Sequence, residues 1–124
     1  MDSRTLQVAI HRSGSGVFLV QPSGPLTLRT VFDFHDAIAE VTGAPFEPVI
    51  LDLSRVSAMD SAGLGAIVIM AACREGDARF SVAGLTPRLK PLFEAAQVGR
   101  ILPCFRSIEA ADAAFAGSFA TSLR

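Results

Sequence analysis

Leu6, Val8 and Ile10 alternate with polar or small neighbours over Thr5–Ile10, the period-two pattern of a strand with one buried face. Val17-Phe18-Leu19-Val20 forms a second strand. The intervening Arg12-Ser13-Gly14-Ser15-Gly16 reads as a glycine-containing turn, making the pair an antiparallel hairpin. After Pro22-Ser23-Gly24-Pro25 the period lengthens. Val31, Phe34, Ile38 and Val41 fall on one face of a helix with Thr27 as its N-cap and Gly43 as its stop. Pro48–Leu53 is almost continuously apolar, as in a strand buried on both faces, and Ser54–Asp60 connects it to the next element.

From Ser61 to Arg74 apolar residues cover nearly the whole helical circumference, which predicts a mostly buried helix of about four turns. Arg79–Ala83 is a further strand, closed by Gly84. Thr86-Pro87 supplies an N-cap and a first-turn proline for a helix whose inner face is Leu89, Leu92, Phe93 and Ala96. A short strand is expected at Ile101-Leu102. Ser107 then caps a last helix carrying Ile108, Ala111, Ala114 and Phe115, with residues 116–124 as a tail. The order ββαβαβαβα implies an α/β fold: a mostly parallel central sheet with an N-terminal antiparallel hairpin and helices packed on it.

Composition narrows the function classes. A chain of 124 residues, half of them apolar, suits one domain with an ordinary core, so 1–124 is expected to fold as a unit. Lys and Arg number 11 against 12 Asp and Glu, which argues against a nucleic-acid partner or a polybasic membrane surface. Two cysteines, Cys73 and Cys104, and two distant histidines, His11 and His35, make neither a disulfide framework nor a metal site. Met1-Asp2-Ser3-Arg4 has no signal-peptide character. The most apolar stretch, Ser61–Cys73, is short of the roughly 20 residues that span a bilayer. A cytoplasmic location without membrane insertion is expected.

Enzyme motifs are missing. Gly14-Ser15-Gly16 is neither a phosphate loop nor a nucleophile elbow, and no Walker or Rossmann glycine pattern occurs. Asp52, at a strand end, reads either as a catalytic carboxylate or as a structural hydrogen-bond acceptor. The chain is expected not to be an enzyme and to hold no cofactor.

The informative segment is Val49-Ile50-Leu51-Asp52-Leu53 followed by Asp60-Ser61-Ala62-Gly63-Leu64-Gly65 at a helix start. It resembles the signature of STAS domains, in particular bacterial anti-sigma factor antagonists, in which a buried strand ending Asp-Leu leads to Asp-Ser-x-Gly-Leu-Gly. The resemblance extends over about residues 6–115 through Gly24-x-Leu26, Thr86-Pro87 and Phe105-x-Ser107 with Ala110. It implies partner switching: an anti-sigma factor serine kinase, which brings its own ATP and magnesium, phosphorylates Ser61. The unphosphorylated form binds that kinase and frees a sigma factor, and a PP2C-type phosphatase restores it. The partner-binding positions so implied are Asp60, Ser61, Ala62, Gly63, Leu64, Gly65 and Thr27, the last standing where the family commonly has an acidic residue. The alternative is a non-switching STAS adaptor in a stress-signalling or lipid-transport complex.

The residues make such a switch physically workable. A phosphate on a serine at a helix N-terminus meets free N–H groups and a favourable dipole. It adds about −1.5 to −2 charge without melting the helix. Gly63 and Gly65 either let the helix pack closely on the strand ending at Leu53 or leave its first turn bare for a partner. Asp60 either orients the Ser61 hydroxyl or caps the helix.

Overall fold

The computed structural model describes residues 4–13 and 16–122, with 116–122 as backbone only. The hairpin strands are β1 (Gln7–Arg12) and β2 (Phe18–Leu26), paired antiparallel from Gln7↔Ser23 to Arg12↔Phe18. Gly14 and Ser15 of the expected turn lie outside the described residues. Helices α1 (Val31–Ala37) and α2 (Ala39–Thr42) follow, then β3 (Val49–Asp52), β4 (Val56–Met59) and α3 (Ser61–Ala72). The chain continues as β5 (Phe80–Ala83), α4 (Lys90–Ala96), β6 (Cys104–Phe105) and α5 (Ile108–Ser122).

The sheet runs β1-β2-β3-β5-β6, parallel except at β1–β2. β3 and β5 are buried at every position, as the apolar run Val49–Leu53 requires. One sheet face buries Val20, Leu51 and Val82 beneath Phe34, Ile67, Met70 and Phe93, which come from α1, α3 and α4. The other face gathers Val17, Ile50 and Ala83 under Ala111 of α5. Ile50 and Ile67 are therefore core residues, one on each side of the sheet. Arg74 ties the end of α3 to the stretch before β3, its guanidinium donating to the carbonyls of Val41, Ala44 and Glu47.

Five local expectations change. The single helix Thr27–Gly43 breaks at Ile38, where the backbone leaves helical geometry. Its cap position is Thr30: Thr27 instead sits in the preceding turn, its N–H donating to Thr30 Oγ1. The connection Ser54–Asp60 contains a strand, because β4 finds partners on the far half of β2. Thr86 does not cap α4 with its side chain; it opens a turn through its carbonyl, and the helix starts at Lys90 with Pro91 in its first turn. The last strand lies at Cys104–Phe105, since Leu102 is withdrawn into the core and Ile101 faces solvent. Ser107 does cap α5, its Oγ accepting from Ala110 N at 3.1 Å, and the expected tail continues that helix to Ser122.

β2 serves two strands. Phe18–Val20 pairs with β3, and Gly24–Leu26 pairs with β4 across a register shift at Gly24/Pro25. Gly24 makes this passage possible. Its φ of +106° is in the region that side chains disfavour, and a Cβ there would lie 2.4 Å from the Thr5 carbonyl oxygen.

Candidate functional site

β4 delivers the chain to the start of α3 in an extended conformation, with Asp60 at φ −119° and ψ −176° as the N-cap. Both carboxylate oxygens are used. Oδ1 accepts from Gly63 N at 3.0 Å, and Oδ2 accepts from Leu28 N, also at 3.0 Å. The first bond satisfies a free donor of the helix; the second ties the β2–α1 turn to the same point. Asp60 therefore caps and clamps, with both oxygens occupied by backbone donors.

The N–H groups of Gly63 and Leu28 hold the Asp60 carboxyl below its ordinary value, chiefly the Gly63 one. The folded-state pKa is thus lower than that of the unfolded chain. The stabilisation is complete above about pH 4 and is lost as pH falls through the folded value. Asp60→Ala is expected to cost about 1 kcal/mol at pH 7, typical of a lost cap. The deficit against the parent protein should shrink at pH 3. Urea denaturation of both proteins at the two pH values checks this, and an undiminished deficit in acid contradicts the assignment.

Ser61 is the first residue of α3 and is exposed, and its hydroxyl has no hydrogen-bond partner among the described residues. It stands at the dipole's positive end and beside the clamp. Of the other implied site residues, Ala62 and Gly65 are partly exposed and flank Ser61, while Thr27 is partly buried, next to Leu28. Gly63 and Leu64 turn the other way, into the core. They support the site from within and offer a partner no surface.

The two glycines have different causes. A Cβ on Gly63 would lie 2.0 Å from the Leu26 carbonyl oxygen, so this glycine lets α3 press against β2, not against the strand ending at Leu53. A Cβ on Gly65 would meet nothing within 4 Å. Gly65 carries the helix penalty of glycine with no internal packing reason. Gly65→Ala is expected to raise stability by about 0.5–1 kcal/mol, read as a higher urea midpoint.

α3 is less buried than its composition suggests. Only Gly63, Leu64, Ile67 and Met70 are buried, and Ile69 is 63% exposed. Ser61, Gly65 and Ile69 recur every four residues and share one outward strip. Across the clamp, Leu28 is 68% and Phe32 77% exposed. Sequence reading missed this apolar rim, although one signal was available: Phe32 falls outside the Val31/Phe34/Ile38/Val41 stripe. Asp52 resolves as a structural acceptor. It is 7% exposed and takes bonds from Gln21 Nε2 and Ser54 N, both at 3.1 Å. No helix among the described residues is long and apolar enough to cross a membrane.

Comparison with known proteins places this geometry. A family model described as STAS domain matches residues 10–111. No curated protein matches the chain in sequence. Among solved structures, an anti-sigma factor antagonist from Mycobacterium paratuberculosis superposes with a TM-score of 0.83 at 20% identity, over 90% of this chain and 94% of that one. The phosphorylated form of the Bacillus cell fate determinant SpoIIAA gives 0.65 at 18% identity, over 87% and 99%. The murine anion transporter Slc26a9 gives 0.70 at 20% identity, over 93% of this chain but 22% of the transporter.

Proposed function

The chain belongs to the STAS-domain family, and from that premise we propose that it is an anti-sigma factor antagonist, switched off by phosphorylation of Ser61. The observation that carries the reading is the exposed, unbonded Ser61 hydroxyl at the first position of α3, fixed by the Asp60 clamp. A serine so placed is a substrate for another protein's chemistry. The kinase approaches over Gly65, where no side chain stands in the way. Its ATP and magnesium come with it.

In the unphosphorylated form the partner rests on the Ser61–Gly65–Ile69 strip and on Leu28 and Phe32. Exposed aromatic and aliphatic groups beside a small-residue surface supply the apolar anchors that dominate binding energy. A phosphate at Ser61 places a hydrated double charge inside that contact. It is compatible with the helix, because the dipole favours it, and incompatible with an apolar partner surface. The fold survives while the complex separates. The serine kinase, the sigma factor it releases and a PP2C-type phosphatase complete the cycle, which operates in the cytoplasm.

The test is intact-mass analysis of the protein isolated from its own cells, with the Ser61→Ala chain as control. One phosphate on the parent protein and none on the variant is the expected result. An unmodified Ser61 throughout, with a cognate kinase and ATP present, overturns the switch and leaves the non-switching adaptor.

A further inference from the structure

At the far end of α3 from Ser61, a cleft of about 380 Å³ opens between the start of β5, the approach to β6 and the middle of α5. Its size is within the range that holds small molecules. Part of its wall is apolar: Phe80, Phe105 and Phe115 line it. Its charge is of one sign. Arg79 and Arg100 line it, both exposed and without ion-pair or hydrogen-bond partners among the described residues. Among the described residues no Asp or Glu lines it.

A second observation points the same way. Ser81 lines the cleft, is only 2% exposed, and its hydroxyl has no hydrogen-bond partner among the described residues. Beside it, Arg74 Nε is buried with no hydrogen-bond partner among the described residues, and a buried donor left unmatched costs stability unless something supplies its bond. Two unneutralised guanidinium groups, a waiting hydroxyl and three phenyl rings in one recess are complementary to a molecule charged at one end and apolar at the other.

We infer that this cleft binds a small organic oxyanion with an apolar body. Arg79 and Arg100 hold the oxyanion head, Ser81 Oγ donates to it, and the phenylalanines cover the body. Arginine suits the role because its planar donors match carboxylate and phosphate oxygens. The site is separate from the Ser61 surface, being associated with Ala71 and Arg74 at the C-terminal end of the helix that Ser61 begins.

Carboxylates and phosphate monoesters share this chemistry, so the probes are octanoate and octyl phosphate, with octanol as the neutral counterpart. The full ¹⁵N-labelled chain is titrated with each, and amide shifts are followed. The expected result is a saturable shift at Ala78, Ser81 and Phe105 for at least one of the two anions, the tighter one identifying the preferred head. Octanol should bind at least about tenfold more weakly, and Arg79→Ala/Arg100→Ala should lower anion affinity by at least about tenfold, as losing charge-assisted bonds requires. Both arginines are exposed, and an unchanged melting temperature verifies that the double variant is folded. No saturable shift with either anion, octanol binding equally well, or full affinity in the folded double variant overturns the inference.

Discussion

Gly63→Val is expected to leave the chain without a stable fold, and Gly63→Ala to cost about 2 kcal/mol net. The argument is geometric. Alanine at this helical position should gain about 1 kcal/mol from propensity alone. The added carbon, however, would sit 2.0 Å from the Leu26 carbonyl oxygen and 2.8 Å from its carbonyl carbon. The obstacle is backbone inside a paired strand, so no rotamer change relieves it. α3 must lift from β2, opening the contacts that Leu64 and Ile67 make with the core. Overpacking of this kind costs about 1–3 kcal/mol or more, enough to reverse the propensity gain. Urea denaturation of Gly63→Ala beside Gly65→Ala separates the two effects within one helix. Equal midpoints would refute the packing account.

Ser61→Asp is expected to weaken binding of the anti-sigma partner by about 100-fold, near 2.7 kcal/mol, while the melting temperature stays level or rises slightly. The two readouts move in different directions for one reason. An acidic side chain at the first position of α3 interacts favourably with the helix dipole, by about 0.3–1 kcal/mol when exposed. The same charge is buried without a counter-ion when a partner closes over Leu28, Phe32 and Ile69, and burying an unpaired charge is costly. Titration calorimetry with the purified partner, alongside thermal unfolding, measures both. Equal affinity for the parent and variant proteins removes the switch. A fall in stability matching the fall in affinity would instead make Ser61 a structural residue.

Legibility in the sequence followed the range of the forces involved. β3 and β5 were readable because each is buried on both faces and leaves an apolar run. Asp60 was readable as a capping candidate because a cap acts over three residues. β4 was not: Val56-Ser57-Ala58-Met59 has only a weak pattern, and it is a strand because Gly24–Leu26 offers it an edge. The same holds for the clamp, which joins Asp60 to a backbone group 32 residues away. Gly63 was legible as a glycine that something needs, but its neighbour is Leu26 of β2, a contact that only the folded sheet determines. The cleft behind β5 left no local signature, since Arg79, Ser81, Arg100 and Phe115 come together only through the parallel crossovers.

The division of labour along β2 has a mechanical consequence. Its first half is zipped to the centre of the sheet and its second half to the ledge that leads into Asp60 and Ser61. A visiting protein that tugs on this ledge pulls on the rail that bears the whole architecture. Small excursions there are resisted by the global cooperativity of the domain, so docking should proceed as a meeting of preformed surfaces. The amides of residues 18–26 that bond within the sheet should accordingly be among the slowest in the molecule to exchange with deuterium, in the free protein as in the complex.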